Sequence, residues 1–152
     1  LDIIGVYEEA LVEPIAQVLI KLGVKKGMVV FGEDVMDEIT PSAKTKVCEI
    51  RNGETRTYEI NPEDYGIKIC KKTELIGGLA EENAQITKDI LSGKLQGAKR
   101  DAVLLNAGAC IYTTRDDVTY TEAIEIAREA IDSGAAKKKL EEFVEMTNSF
   151  GA

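Results

Sequence analysis

Apolar residues recur at helical spacing in four stretches of the chain. The first stretch predicts a helix over 9–22, and the second predicts a helix that begins near Glu81 and ends by Gly93. The last two stretches predict helices near 119–133 and 135–148. The chain therefore contains several amphipathic helices, each with one face suited to packing against a core.

A further stretch, 102–110, is apolar on nearly every face. This pattern fits either a fully buried helix or a central strand. Its length and its alanine content favour a helix, which we place over 100–112. A helix of this kind needs apolar cover on all sides, so we expect an extensive partner surface around it.

Strand patterns are concentrated in one part of the chain. Met28–Phe31 is a short apolar run that predicts a buried strand, and the residues from Gly32 to Lys44 predict a loop after it. Polar and apolar residues alternate over 45–50 and again over 55–60. Because Asn52-Gly53 separates the two runs, the pattern predicts a β-hairpin.

One buried strand, a β-hairpin at about 45–60 and several apolar helices favour the α/β fold class. These strands provide too little sheet for helices as apolar as those described above. We therefore expect residues 1–152 to form a single, partial α/β domain of a larger protein, with further strands that precede Leu1.

Composition and charge narrow the possible functions. The 19 basic and 27 acidic residues give a net charge of −8, which disfavours nucleic acid as a partner. The chain has no histidine, so any metal in it would be held by oxygen ligands. No apolar run approaches the roughly 18 residues of a membrane-spanning helix, so we expect no membrane segment. Three separated cysteines without a CxxC pair favour a reducing, cytoplasmic location.

Many short motifs of the chain resemble the anthranilate phosphoribosyltransferase family, and they occur in the order of that family. No single motif is specific, but their number, order and spacing together make the resemblance. The motifs include Gly5-Val6-Tyr7, Leu11-Val12-Glu13-Pro14, Val29-Val30-Phe31-Gly32-Glu33-Asp34, Asp37-Glu38-Ile39, Pro62-Glu63-Asp64-Tyr65-Gly66, Arg100-Asp101-Ala102-Val103-Leu104-Leu105-Asn106-Ala107-Gly108 and Ala127-Arg128-Glu129-Ala130.

The resemblance implies transfer of phosphoribose from phosphoribosyl pyrophosphate to anthranilate, an early step of tryptophan biosynthesis that uses Mg²⁺. The products would be N-(5-phosphoribosyl)anthranilate and pyrophosphate. It also implies the C-terminal part of a catalytic α/β domain of the nucleoside phosphorylase and phosphoribosyltransferase type. For the complete protein, it implies a homodimer.

The N-terminal helical domain and the glycine-rich phosphate loop of the family match no position in this chain. The resemblance therefore carries no catalytic residue over to it. We expect the chain alone to be inactive and to need the missing N-terminal half of the same protein.

Asp37 and Glu38 stand where the family places the carboxylates that hold Mg²⁺ on the pyrophosphate. On spacing alone, two adjacent acids are more often solvated loop charge or an acidic first helical turn. The chemistry suits a metal site, because a hard cation held by carboxylates and water neutralises the charge that develops on departing pyrophosphate. We interpret Glu33 and Asp34, in the same loop, as solvated charge rather than as ligands.

Two positions near the acidic pair depart from the family pattern. Phe31 stands where the family usually has histidine, and Val35 stands where it usually has glycine. The resemblance thus assigns no role to the histidine position. Thr40-Pro41-Ser42-Ala43-Lys44 also differs from the family's usual glycine-containing turn, which leaves the loop conformation open.

Other polar or reactive residues are interpreted as structural. Gly77-Gly78 precedes two glutamates that would repel phosphate, so a plain turn is favoured over an anion-binding loop. Asn106 is interpreted as a satisfied core amide. We interpret the three cysteines, Cys48, Cys70 and Cys110, as small packing residues.

Two alternative functions stay open at this point. A pyrimidine nucleoside phosphorylase, or a related transferase with another acceptor, shares the broad fold, and the acceptor would be selected by the absent half. A non-catalytic scaffold or oligomerisation module of the same fold is the second alternative. The presence of Asp37 and Glu38 argues against the scaffold.

Overall fold

The computed structural model describes residues 2–150. These residues form a four-stranded sheet and five α-helices, joined by short 3₁₀ turns and loops. In chain order the elements are β1 Asp2–Gly5, α1 Val12–Lys21, β2 Lys26–Gly32, β3 Thr45–Arg51, β4 Glu54–Ile60, α2 Ala80–Leu91, α3 Ala98–Thr114, α4 Tyr120–Asp132 and α5 Ala135–Ser149.

The sheet has the strand order β1-β2-β3-β4. β1 and β2 are parallel, whereas β3 is antiparallel to both of its neighbours. The β3–β4 hairpin turns at Asn52 and Gly53, which both have positive φ angles, of 51° and 88°. That conformation is the one that a two-residue hairpin turn requires, so the predicted hairpin is confirmed.

β1 is a strand that the sequence pattern did not predict, and the expectation of one buried strand plus a hairpin is therefore wrong. Its four residues are too few to show an alternating pattern, and a helical pattern follows closely. The strand is defined by its parallel pairing with β2, in which Ile3 lies opposite Met28. Such pairing depends on residues distant in the chain, which periodicity cannot reveal.

Helices cover both faces of the sheet. On one face, Val29 and Phe31 of β2 pack with Val12 and Ala16 of α1. On the other face, Met28 and Val30 of the same strand join a larger cluster built on α3 and α4. Successive residues of β2 are thus buried on opposite faces, which explains its continuously apolar sequence.

α3 is the central helix of the larger layer, as its apolar composition predicted. Leu104 and Leu105 are fully buried, and almost every other residue of the helix is at least half-buried. A Cβ atom on Gly108 would lie 2.7 Å from Cγ1 of Ile124. The glycine therefore allows α3 and α4 to pack closely.

α5 packs less extensively than the other helices. None of its residues is buried, and Phe143 and Met146 are both more than 60% exposed. The helices of residues 2–150 all fall short of the length and apolarity that crossing a membrane requires.

Candidate metal-binding site

The loop from residue 33 to residue 44 follows the carboxyl end of β2 and contains the predicted acidic pair. β1 is parallel to β2 and ends beside it, at Gly5 opposite Val30. The two carboxyl ends therefore meet at one edge of the sheet. In open α/β sheets, this edge is where ligands commonly bind.

The loop begins with a tight turn. The Gly32 backbone N–H donates to the Met36 carbonyl at 2.8 Å, and the Val35 N–H donates to the Gly32 carbonyl at 2.8 Å. Val35 adopts a left-handed conformation, with φ of 64°. A β-branched residue is unfavourable there, whereas glycine is not. Val35 thus adopts the backbone conformation that the family's usual glycine at this position would favour.

β1 supports the acidic pair from one side. An ideal Cβ atom on Gly5 would lie 1.5 Å from the Asp37 carbonyl oxygen, which is far inside any allowed contact. Only glycine leaves room for the backbone of Asp37 at this position. The close approach fixes the loop directly against the end of β1.

α3 supports the pair from the other side through Asn106. The Ile39 N–H donates to Oδ1 of Asn106 at 3.1 Å, and Nδ2 of Asn106 donates to the Ile39 carbonyl at 2.8 Å. Nδ2 also donates to the Ala102 carbonyl at 2.9 Å. Asn106 is half-buried and its amide is satisfied, as predicted, but its partner is the loop residue that follows Glu38.

The interpretation of Asp34 as solvated charge is wrong. Asp34 is half-buried, and its Oδ2 accepts hydrogen bonds from the hydroxyls of Thr40, at 3.1 Å, and Ser42. Its Oδ1 atom is buried and has no hydrogen-bond partner within residues 2–150. Asp34 therefore joins the two halves of the loop, whereas Glu33 is exposed, as expected of solvated charge.

Asp37 and Glu38 are both exposed. No ion pair among residues 2–150 includes either carboxylate. Glu38 also lines a cleft of about 330 Å³, together with Lys99 and Asn83. The two acids are therefore free to contact a ligand that approaches this edge of the sheet.

The donor set fits Mg²⁺ in part. Two adjacent carboxylates are hard oxygen donors, and Mg²⁺ commonly takes one or two protein carboxylates together with waters and substrate phosphates. Within the described residues, no group of three or more potential ligands comes together. The pair therefore suits a metal that arrives with a phosphorylated substrate rather than a site complete in this chain.

The glycine pair Gly77-Gly78 forms a turn that is closed by its own neighbours, as predicted. The Gly78 N–H donates to Oδ1 of Asn83 at 2.8 Å, and the Leu79 N–H donates to Oε2 of Glu82 at 2.8 Å. These donors are occupied by α2 itself. The turn therefore offers little to an anion.

The three thiols have different environments. Burial raises the pKa of Cys48 and of half-buried Cys70, so both stay protonated, in keeping with a packing role. Cys110 is exposed, so its interpretation as a packing residue is wrong. All three cysteines are free thiols.

Comparisons with known proteins identify relatives over nearly the whole chain. The family described as "Glycosyl transferase family, a/b domain" matches residues 1–137. The chain is 53% identical over 148 residues to the anthranilate phosphoribosyltransferase of Lachnoclostridium phytofermentans, and 48% identical over 149 residues to that of Methanobrevibacter smithii. These alignments cover 97% and 98% of this chain but only 44% of each relative.

Solved structures agree with the sequence relatives. The anthranilate phosphoribosyltransferase of Thermus thermophilus superposes with a TM-score of 0.84 at 35% identity, covering 93% of this chain and 41% of that one. The enzyme from Saccharomyces cerevisiae, in complex with PRPP and Mg, gives a TM-score of 0.88 at 27% identity. The superposition covers 97% of this chain and 42% of the yeast enzyme. The predicted fold class is therefore confirmed.

Proposed function

The chain belongs to the glycosyl transferase family and matches its α/β domain, and we propose that it forms part of an anthranilate phosphoribosyltransferase. The chain spans about 44% of the length of the curated relatives named above. We therefore propose that the complete protein contains a further, N-terminal part, which supplies the remaining strands, the glycine-rich phosphate loop and the acceptor site.

One observation carries the proposal. Asp37 and Glu38 are exposed, adjacent carboxylates on a tightly held loop at the carboxyl edge of the sheet. They occur in a chain that is 53% identical to an anthranilate phosphoribosyltransferase over nearly its whole length. A yeast relative has been solved with PRPP and Mg, and another complex of that enzyme contains 4-fluoroanthranilate.

In the proposed reaction, the amine nitrogen of anthranilate forms a bond to C1 of the ribose. The bond from C1 to the pyrophosphate oxygen breaks, and the amine loses a proton. Bound Mg²⁺ would neutralise part of the negative charge on the departing pyrophosphate. The role of this chain is to hold the Asp37 and Glu38 carboxylates, directly or through water, at the place where that charge develops.

Two features support the proposed partition of the complete protein. Within residues 2–150, β1 pairs with β2 alone, so its second edge is available to a further strand. Leu79, which immediately precedes α2, and Phe143 of α5 are also large apolar side chains left exposed. We propose that the N-terminal part pairs with the open edge of β1, that other parts of the complete protein cover these side chains, and that the complete protein is a homodimer.

The test is turnover in the complete protein. Replacing the pair with Asp37→Asn and Glu38→Gln should lower Mg²⁺-dependent consumption of anthranilate by more than tenfold without unfolding the protein. The matched control replaces another adjacent acidic pair, with Asp116→Asn and Asp117→Asn, and should change turnover by less than about twofold, because surface ion pairs contribute little. Unchanged turnover in the first variant would remove the acidic pair from the mechanism.

Two further measurements separate this proposal from the alternatives. The 152-residue chain alone should show no phosphoribosyl transfer, since half a site provides little of the positioning that catalysis needs. The complete protein should transfer phosphoribose to anthranilate and should not cleave pyrimidine nucleosides with phosphate. Nucleoside cleavage by the complete protein would favour a phosphorylase, and the absence of both activities from the complete protein would favour a scaffold.

A further inference from the structure

We propose that Asn106 is a positioning residue for the acidic pair, holding Glu38 in the orientation that metal binding requires. The inference rests on the proposed function, because it concerns the same metal site. It assigns no contact between Asn106 and the metal or the substrate. Its basis is the set of hydrogen bonds between α3 and the loop that carries Asp37 and Glu38.

The hydrogen bonds hold a particular peptide bond. The Ile39 N–H, which donates to Oδ1 of Asn106 at 3.1 Å, belongs to the peptide that joins Glu38 to Ile39. The Ile39 carbonyl, which accepts from Nδ2 of Asn106 at 2.8 Å, belongs to the next peptide. One side-chain amide therefore fixes two successive peptide planes. Since the first plane sets the backbone direction at Glu38, Asn106 restricts where the Glu38 side chain can point.

Asn106 is itself firmly placed. Nδ2 also donates to the Ala102 carbonyl at 2.9 Å, one turn earlier in α3, which fixes the side-chain rotamer. The Ile39 side chain is fully buried in the cluster that contains Leu104 and Leu105, so the loop cannot move away from the helix without exposing it. The hydrogen bonds to Ile39 and the burial of its side chain thus hold an otherwise exposed loop firmly against the central helix.

The loop is held from both sides of the acidic pair. Gly5 of β1 contacts the Asp37 backbone so closely that no side chain fits there. Asn106 holds the residue after Glu38. Asp37 and Glu38 therefore lie on a short backbone segment with a fixed support at each end, while their carboxylates remain exposed. Preorganised ligands of this kind favour metal binding, because less conformational freedom is lost when the metal binds.

A purely structural role for Asn106 would predict a different result. Buried polar groups of a loop need hydrogen-bond partners wherever they lie, so losing Asn106 would lower stability in either case. Only a positioning role predicts that metal affinity falls while the protein remains folded. The test therefore has to measure metal binding on folded protein.

The complete protein is tested with Asn106→Leu, which keeps the approximate shape of the side chain but removes its hydrogen bonds. Asn106→Ser is the second variant, for the case in which the leucine variant fails to fold. The matched control is Tyr120→Phe, because the Tyr120 hydroxyl donates to the carbonyl of Leu105 in α3 at 2.9 Å, so this hydrogen bond ends on the helix and not on the loop 33–44. All three changes remove hydrogen bonds made to or by α3.

Two quantities are measured on each variant below its thermal midpoint. The first is the dissociation constant of Mn²⁺ in the presence of phosphoribosyl pyrophosphate, from calorimetry. The second is the Mg²⁺ concentration that gives half-maximal turnover. We expect both to rise at least fivefold in the Asn106 variant that folds, and to stay within twofold in Tyr120→Phe.

The outcomes distinguish the inference from the function on which it rests. If Asp37→Asn with Glu38→Gln abolishes Mn²⁺ binding but the folded Asn106 variants bind Mn²⁺ normally, the positioning role is wrong and the metal site stands. If Tyr120→Phe weakens Mn²⁺ binding as much as the Asn106 variants, the effect is one of general stability, and the inference is overturned. If the acidic-pair variant itself binds Mn²⁺ normally, the proposed metal site is wrong and the inference falls with it.

Discussion

Two adjacent acidic pairs in this protein have opposite surroundings. Asp116 and Asp117 lie in the loop between α3 and α4, and both are neutralised: Asp116 pairs with Lys26 and Arg51, and Asp117 pairs with Arg115. Asp37 and Glu38 lie at the other end of β2 and have no basic partner within residues 2–150.

The difference is one of placement in the sheet. Lys26 begins β2 and Arg51 ends β3, directly opposite it, so the neutralised pair lies at the end of the sheet remote from the loop 33–44. There, Arg51 also donates to buried Glu49 at 2.6 Å and stacks on the ring of Tyr112.

At the carboxyl edge, by contrast, the backbone of the acidic pair is fixed and its charges are left unpaired. A metal site needs carboxylates that are held by a rigid backbone and left unpaired, and unpaired surface carboxylates do not stabilise the fold through ion pairs. Charge at the remote end is therefore paired within the fold, whereas charge at the carboxyl edge is left unpaired, as the proposed metal site requires.

Among changes that test the difference between the two ends of the sheet, Gly5→Ala should have the largest effect on turnover. The new methyl group would collide with the Asp37 carbonyl oxygen, so the loop has to move. We expect turnover of the complete protein to fall by about 10- to 100-fold, since small displacements of reacting groups have effects of that size. The fall in turnover is measured by steady-state kinetics at a series of Mg²⁺ concentrations.

The control for Gly5→Ala is Gly27→Ala, at the other end of the same two strands. Its new methyl group would lie 2.5 Å from the Asp2 carbonyl oxygen, so it also strains the β1–β2 pair. It should lower the thermal midpoint but leave the Mg²⁺ dependence of turnover unchanged. If Gly27→Ala lowered turnover and changed its Mg²⁺ dependence as much as Gly5→Ala does, the carboxyl edge would have no special role.

A smaller effect is expected from Val35→Gly. Val35 is held at a positive φ angle that glycine adopts freely, and such strain costs on the order of 1–3 kcal/mol. The added flexibility of glycine in the unfolded chain offsets part of the gain. We expect the free energy of unfolding to rise by about 1 kcal/mol, measured by denaturant titration.

Asn52→Gly provides the comparison for the valine. Asn52 also has a positive φ angle, but asparagine tolerates that conformation, so its replacement should relieve little strain. If Val35→Gly stabilises the protein no more than Asn52→Gly does, the turn at residue 35 is not strained as the structure indicates.

The smallest expected effect is on the acid dependence of the thermal midpoint, and it comes from the neutralised pair Asp116 and Asp117. Hydrogen bonds and ion pairs with Lys26 and Arg115 lower the pKa values of Asp116 and Asp117 below the usual 3.8. The stabilisation is therefore present above pH 3.8, and it is lost as the pH falls through the lowered values. Asp116→Asn with Asp117→Asn should make the thermal midpoint slightly less sensitive to acid below about pH 4. A steeper acid dependence in this variant would contradict the pairing.

The sequence predicted the local elements well but not their long-range contacts. The helices over 9–22, 119–133 and 135–148 and the hairpin at Asn52-Gly53 follow from periodicity and turn chemistry, and the structure confirms them to within a few residues. β1 cannot be predicted in this way, because its strand character depends on pairing with β2, more than 20 residues away.

The same limit applies to the site. Resemblance to the family indicated Asp37 and Glu38, but the supports of the loop could not be predicted. Asn106 lies 67 residues from Ile39 in the chain, and the role of Gly5 depends on the position of the Asp37 backbone. The structural role of Asp34 could not be predicted for the same reason, since its hydroxyl partners are brought to it only by the folding of the loop.

The most direct test of the metal site is a crystal structure of the complete protein with Mn²⁺ and phosphoribosyl pyrophosphate, using anomalous scattering to locate the metal. We predict a Mn²⁺ ion on the pyrophosphate that is bound by a carboxylate of Asp37 or Glu38, directly or through one water. A Mn²⁺ ion held on the pyrophosphate by other residues, with both carboxylates left in bulk solvent, would contradict the account.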